Sequence, residues 1–337
     1  MKCFDAQYNL LPKAELHCHL EGAIRTATLI DIAREYGLEL PAYDVAGLDP
    51  QVKVYDQLKD LGTVLEAFGI ARKSIASTAV VERVAGELFE DANAQNIRLL
   101  EVRFSPDWAF SGHGLNWDEA LEGILRAKRL AVARFGMAVG LIAITSRSLG
   151  AGSCEKTVDW AIRWKDHLHG VDLADGEAEY PIHEFVRPML RAKAAGLKVT
   201  VHSGEDTPAS AVVDTINAVN PDRIGHGTHI IDDRAAVELV KERGITLEMC
   251  PWSNYLTSSV KRVEDHPLKR LFDLGVRVTI GSDDPELLDT NLNNEYRVAH
   301  EILGMSLEDI AACNRSAAQA SFIPAEERRP VIERYFA

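Results

Sequence analysis

His17-Cys18-His19 is the first place in the chain where chemically useful side chains recur at a useful spacing. In an extended strand, residues two apart share a face, so both imidazoles address one point while Cys18 turns away. Two converging imidazoles suit a borderline-soft divalent cation such as zinc, although a lone histidine pair is more often solvated or packed in a core. His202-Ser203-Gly204-Glu205 brings a third ring nitrogen, and Gly204 lets the chain turn so that Glu205 can lean over the same metal without binding it. A solvated loop carboxylate is the ordinary meaning of such a Glu. In Gly225-His226-Gly227 the flanking glycines leave room for a ligand and offer nothing to pack an imidazole. Ser282-Asp283-Asp284-Pro285 sets two carboxylates side by side, which raise one another's pKa unless a cation or hydrogen-bond donors compensate. By itself that motif is a turn or a helix cap. Together these segments supply three imidazoles and a carboxylate for a metal, with a Glu, a His and an Asp left to move protons. That inventory fits a catalytic zinc with one open coordination position.

Such groups need a frame that points them at one spot. The chain repeats a short apolar, β-branched run followed by a longer segment of helical period. The runs are AELHCHL (14–20), IRLLEVRFS (97–105), MAVGLIAIT (137–145), HGVDLA (169–174), KVTVHSGE (198–205), RIGHGTHI (223–230), ITLEMCP (245–251) and VRVTIGSDD (276–284). ATLIDIAREYG and DDRAAVELVKERG, after the first and sixth runs, are helical stretches that stop on Gly. Eight strands alternating with helices predict an α/β fold, a (β/α)8 TIM barrel, with a doubly wound sheet as the competing arrangement. The barrel is favoured because His17, His19, Ser105, His202, Glu205, His226, Asp283 and Asp284 all fall at C-terminal strand ends, the face where barrel active sites form. At 337 residues the chain exceeds the roughly 250 of a simple barrel, and the excess reads as a helical insertion at about 40–95 after the first strand. No repeat or linker divides residues 1–337, so one domain is expected.

Composition removes several function classes. The chain is 46% hydrophobic and 26% charged, with 37 Lys and Arg against 51 Asp and Glu, a net charge of −14. That balance argues against binding a nucleic-acid backbone but allows a small nucleic-acid fragment as substrate. No stretch approaches the roughly 18 apolar residues of a membrane span. The opening MKCFDAQYNLLPKAEL has no long apolar run after a basic segment and is not expected to be a secretory signal. Five scattered cysteines (Cys3, Cys18, Cys154, Cys250, Cys313) without a CxxC pair suit a reduced, cytoplasmic chain and exclude a close-spaced thiolate zinc site.

At this point the motifs resemble, in order and over nearly the whole chain, those of the adenosine deaminase family of the amidohydrolase superfamily. LPKAELHCHLEGAI resembles the family's opening HxH segment, VHSGED its HAGE segment and RIGHGTHI its GHG segment. LEMCPWSNYLTS and TIGSDDPELLDTNLNNEY resemble the two segments that follow, and NRSAAQASFIP the C-terminal helix. The resemblance implies a barrel with one Zn2+ per chain, held by His17, His19, His202 and Asp283. It implies hydrolytic deamination of a 6-aminopurine nucleoside, with Glu205 protonating N1, His226 deprotonating or orienting the attacking water, and Asp284 bonding N7. It also implies substrate contacts from Glu21 and Ser105, from a backbone N–H of Asp175 or Gly176 to purine N3, and from lid residues Leu58, Leu61 and Leu65.

Some positions depart from the family pattern. Glu21 stands where nucleoside deaminases carry Asp against the ribose 5′-hydroxyl, and HLEG is also found in adenine deaminases. IGHG (224–227) and CPWSN (250–254) side with nucleoside deaminases, whereas adenine deaminases usually read IDHG and CPLSN. The family's DLAG becomes Asp172-Leu173-Ala174-Asp175-Gly176, placing a carboxylate beside the purine. Arg147 reads as a solvated side chain or a contact for an anionic substituent, and Phe104 and Trp252 read as packing. The expected partner is a small purine nucleoside or base, with no nucleic acid and no membrane; oligomeric state leaves no mark in the sequence. The alternative activity is an adenine deaminase, or a deaminase of a 5′-modified adenosine such as aminodeoxyfutalosine or methylthioadenosine. A two-metal amidohydrolase usually has a bridging lysine after the fourth strand, and HGVDLAD offers none. A binding module that had lost its chemistry would lack some of these groups, and the cytidine deaminase class, which pairs HxE with PCxxC, is excluded because the only adjacent Cys and Pro are Cys250-Pro251, in the reverse order.

Overall fold

The chain folds around strands β1 (Lys13–His19), β2 (Ile97–Phe104), β3 (Ala138–Ser146), β4 (Gly170–Ala174), β5 (Lys198–Ser203), β6 (Arg223–His226), β7 (Thr246–Met249) and β8 (Arg277–Ile280) in a computed structural model that describes residues 1–337. They pair in sequence order, each parallel to the next. The sheet closes on itself at the strands' C-terminal ends. There Asp283 N–H donates to His17 O at 2.9 Å and His19 N–H donates to Asp283 O at 2.8 Å. This is the predicted (β/α)8 barrel, and the closing rungs carry residues the sequence assigns to a metal.

Near-continuous apolar runs form these strands because a parallel sheet inside a ring of helices is buried on both faces. Every residue of β3 is buried. The runs ending in GE, THI, CP and GSDD leave the sheet earlier than expected, at Ser203, His226, Met249 and Ile280. The chain turns there: Gly204, His226 and Asp283 have φ of 78°, 62° and 61°. Positive φ in His and Asp is uncommon and marks functional loops. The two helices expected to stop on Gly do so, Thr26–Tyr36 at Gly37 and Arg234–Glu242 shortly before Gly244, both glycines in left-handed backbone.

Between β1 and β2 lie helices Thr26–Tyr36, Val45–Val52, Leu61–Ala67, Gly69–Ser74 and Thr78–Ala94. The last packs on β2 and on the following helix Trp117–Phe135 as part of the outer ring. Of the expected lid residues, Leu61 and Leu65 sit in the short helix Leu61–Ala67, Leu58 precedes it, and a second short helix, Gly69–Ser74, follows. Asp60 caps the first by accepting from Thr63 N–H at 2.9 Å, and the helix breaks at Phe68.

Charged side chains fill part of the barrel interior. Arg103 pairs with Asp172 at 2.7 Å, Arg223 pairs with Glu101 at 2.6 Å, and both arginines also reach Glu248. Below them the segment Ser321–Ile323 plugs the N-terminal mouth, with Phe322 against the Arg223 guanidinium at 3.5 Å and Ser321 Oγ donating to Glu101 at 2.6 Å. Removing one member of such a network leaves an unpaired buried charge, a loss on the order of 3–5 kcal/mol. No helix is long and apolar enough to cross a membrane. All five cysteines are free and buried.

Candidate active site

The C-terminal face of the barrel brings the motif residues together. His17 and His19, on one face of β1, aim their Nε2 atoms at Asp283 Oδ1, each at 3.2 Å, and lie 3.4 Å from one another. His202, from the end of β5, sets its ring against theirs, with centroids 4.7 Å from His17 and 5.5 Å from His19. Ligand atoms of His17, His202, His226 and Asp283 fall within 4.8 Å of one another. Gly225 makes this crowding possible: a Cβ there would stand 3.1 Å from His202 Nδ1 and 3.2 Å from His17 Cε1. The bare face of that glycine therefore accommodates neighbouring imidazoles, where the sequence suggested space for a ligand.

The donor set fits a cation. His17 Nδ1 meets Glu248 Oε2 at 2.8 Å and His202 Nδ1 meets Asp172 Oδ1 at 3.1 Å. A carboxylate behind Nδ1 keeps the proton there and leaves the Nε2 lone pair facing the cluster. Asp283 Oδ2 accepts from Ser253 Oγ at 2.6 Å, which leaves Oδ1 directed at the two imidazole nitrogens. Lone pairs converge on one point here, a repulsive arrangement that a divalent cation resolves. Burial would raise the Asp283 pKa, but His17 and His19 beside it hold the carboxylate well below its ordinary range.

Three further groups border this point. Glu205 is buried; its Oε1 accepts from Thr257 Oγ1 at 2.9 Å and Asn254 Nδ2 at 3.4 Å, and its Oε2 lies 3.3 Å from His226 Nε2. Burial, reinforced by Asp283 and Glu177, pushes its pKa well above the usual carboxylate value. His226 is driven well below its ordinary value by burial and then by the neighbouring His17, so it is a neutral ring. Asp284 is raised by burial and by Asp283, and its buried Oδ1 has no hydrogen-bond partner. Any side chain in place of Gly22 would run into that oxygen. A cavity of about 220 Å3 opens here, lined by Glu205, His226 and Asp284 among others.

The adenosine deaminase family profile matches residues 12–336. An adenosine deaminase of Erwinia tasmaniensis is 34% identical over 324 residues, covering 96% of this chain and 98% of that protein. The chain belongs to the adenosine deaminase family. Solved structures agree. An adenine deaminase from Arthrobacter aurescens superposes with a TM-score of 0.89 at 25% identity, covering 96% of this chain and 97% of that one. An Arabidopsis N6-mAMP deaminase superposes with a TM-score of 0.86 at 26% identity, covering 98% and 99%. The chain is thus a hydrolase of a metal-dependent amidohydrolase family, with a three-histidine, one-aspartate cluster at its barrel mouth.

In this adenosine deaminase-family barrel, the residues expected on the substrate side fall in different places. Glu21 and Ser105 line the cavity and meet, Ser105 N–H donating to Glu21 Oε1 at 2.7 Å. Burial raises the Glu21 pKa to about 7. Asp175 lines the cavity with φ 85°, but its carboxylate is engaged by Ser148 and by the Gly176 N–H, which donates at 2.8 Å. Leu61 and Leu65 line the cavity; Leu58 and Gly176 do not, and Leu58 packs against the apolar cluster that includes Leu256 and Leu288. Arg147 is neither solvated nor set to meet an anion. It is buried and donates to Tyr180 O at 2.7 Å and His202 O at 2.9 Å, fixing the backbone of a cluster histidine. Phe104 is buried packing, and Trp252 packs against Tyr255 with ring centroids 5.4 Å apart and the rings tilted.

The family motifs did not reveal the carboxylates behind the histidines, Asp172 and Glu248, nor Glu177, which accepts from Gly204 N–H at 2.7 Å and Glu205 N–H at 3.1 Å. A signal existed for the first two, since each is a charged residue in the middle of an apolar strand run. Val64, Phe68 and Trp108 complete an apolar wall of the cavity, with Phe68 and Trp108 edge to face at 5.8 Å.

Proposed function

We propose that this protein hydrolyses the C6–amino bond of adenosine or deoxyadenosine, giving the 6-oxo nucleoside and ammonia. The carrying observation is a buried Glu205, its pKa raised well above the usual carboxylate value, on the cavity into which His17, His19, His202 and Asp283 converge. We assign one zinc ion per chain to His17, His19, His202 and Asp283; when bound, it supplies Lewis acidity that makes a hydroxide nucleophile accessible near neutral pH. Glu205 donates its proton to purine N1, which draws electron density from C6 and opens it to attack. Thr257 and Asn254 occupy Glu205 Oε1 as donors, so the acidic proton sits on Oε2. His226 orients the attacking water. Asp284, whose carboxyl is raised in pKa by burial and by Asp283, donates from its unpartnered Oδ1 to N7 of the ring. Ser105 and Glu21 face the sugar side, and helix Leu61–Ala67 lays Leu61 and Leu65 over it as a lid on the single barrel domain.

No Lys or Arg lines the cavity, while Glu21, Asp175, Glu177, Glu205, Asp283 and Asp284 do, so a neutral nucleoside suits it better than a nucleotide. A 5′-modified adenosine with an apolar substituent is the second reading, favoured by the wall of Leu61, Val64, Leu65, Phe68 and Trp108. The free, buried thiols suit a reducing, cytoplasmic compartment. Ammonia release measured as kcat/KM on adenosine, deoxyadenosine, adenine and 5′-methylthioadenosine tests both readings. Turnover of adenine alone would overturn them.

A further inference from the structure

Asn254, from the helix Pro251–Leu256 after β7, stands between two histidines. Its side chain faces His226 Nδ1 at 3.1 Å on one side and His266 Nε2 at 3.1 Å on the other. All three residues are buried. The far end of this row is anchored by a backbone group, because Leu268 N–H points at His266 Nδ1 at 3.2 Å. A backbone amide can only donate. His266 Nδ1 is therefore an acceptor, and the ring proton is on Nε2. That N–H requires an acceptor on Asn254, which fixes the amide with Oδ1 toward His266 and Nδ2 toward His226. The direction then runs through: Asn254 Nδ2 donates to His226 Nδ1, and the His226 proton must sit on Nε2.

We propose that Asn254, held by His266, fixes His226 as the Nε2–H tautomer, so that His226 presents an N–H and not a lone pair to the cavity. The contrast with its neighbours is chemical. His17 and His202 have carboxylates behind Nδ1, Glu248 at 2.8 Å and Asp172 at 3.1 Å, and so turn lone pairs to the cluster. His226 has an amide donor behind Nδ1 and so turns a proton. A polar neighbour on that side is Glu205 Oε2 at 3.3 Å, a carboxylic hydroxyl oxygen whose lone pair accepts the His226 N–H while its own proton is directed to the substrate. Two consequences follow. Although His226 stands as close to the cluster as His202 does, it has no lone pair to give a metal, which leaves His19 as the third imidazole ligand. And His226 holds the attacking oxygen by donating to it. Asn254 and His266 are positioning residues, since they act on the reaction only through His226 and Glu205. The catalytic consequence rests on the deaminase reading; the tautomer does not.

Ring-nitrogen NMR of protein labelled with 15N-histidine, as purified and after chelation, reads the tautomer directly. The resonances lost on substituting His226 identify its ring among the 11 histidines. Nε2–H at His226, with Nδ1–H at His17 and His202, is the expected result; Nδ1–H at His226 overturns the proposal whatever the activity. Asn254→Asp places a carboxylate behind Nδ1 and is expected to move the proton to it. The corresponding loss is about 100-fold or more in kcat, with KM within about threefold, because an oriented donor to the attacking oxygen is gone. Unchanged kcat with a switched tautomer would overturn the catalytic half. His266→Gln can still accept from Leu268 and donate to Asn254, so it is expected to retain the His226 tautomer while His266→Phe does not; equal spectra for the two would refute the relay. Protein that shows Nε2–H but releases no ammonia from any adenosine would leave this inference standing and remove the proposed function.

Discussion

Replacing Glu205 with Gln isolates the proton that the deamination chemistry needs. Gln has the same size and keeps an oxygen for Thr257 and Asn254, which approach Glu205 Oε1 at 2.9 and 3.4 Å. It can donate a hydrogen bond to N1 but cannot transfer a proton to it. General acid catalysis contributes about 10²–10⁴-fold, or about 3–5.5 kcal/mol of barrier. Glu205 contacts none of His17, His19 or Asp283, whose mutual approaches of 3.2 Å define the metal position, so the variant should retain its metal. The assay is kcat/KM for ammonia release from adenosine across pH 5–10, with metal content measured on the same samples. Burial with Asp283 and Glu177 nearby raises the Glu205 pKa well above its ordinary value, so the wild-type rate is expected to fall as pH climbs through that raised value. In the Gln variant this alkaline limb disappears along with the rate. A fully metallated Gln variant with kcat/KM within about tenfold of wild type would refute the acid assignment.

Further outcomes follow from the surrounding groups. Asp172→Asn removes the carboxylate that holds His202 Nδ1–H at 3.1 Å, and metal affinity is expected to fall about 10–100-fold by competition with a chelator. Unchanged affinity would show that Asp172 serves only its Arg103 ion pair. Glu21 has a folded-state pKa near 7 against an ordinary 4.5, so its protonation stabilises the fold fully below about 4.5 and this contribution is lost as pH rises through 7. Glu21→Gln, permanently neutral, should therefore gain on the order of 2–3 kcal/mol relative to wild type between pH 4.5 and 8 in urea denaturation, and a pH-independent difference would contradict it. Adding a 5′-phosphate to adenosine brings a dianion into a cavity lined by carboxylates and no Lys or Arg, and kcat/KM should drop by about 100-fold or more. Efficient turnover of AMP would mean that a cation outside the described lining reaches the substrate.

The barrel was legible because its eight apolar runs keep a strand period and end in polar residues of unusual type. Where they end was less legible, since leaving the sheet at His226 or Ile280 depends on local backbone turns that an apolar pattern does not encode. The metal cluster was legible because its residues are sequence neighbours, His17 with His19 and Asp283 with Asp284. The groups behind it were not. Glu248 meets His17 across 231 positions and Asp172 meets His202 across 30, contacts that exist only once the barrel closes. Arg147 was misplaced for the same reason: nothing in its own segment announces that its guanidinium binds the backbone carbonyl of His202. The apolar lid residues were legible, but Leu58 precedes the Asp60 cap and so lies outside the helix Leu61–Ala67 that lines the cavity, while the break at Phe68 leaves Phe68 edge to face with Trp108.

The most direct test pairs elemental analysis with ammonia release on purified wild-type protein and on His17→Ala. One zinc per chain and turnover of adenosine in the wild type, with both lost in the variant, is the result expected of a metal gripped by His17, His19, His202 and Asp283. Full zinc occupancy in His17→Ala, or metal-replete wild-type protein that frees no ammonia from any 6-aminopurine nucleoside, would contradict it.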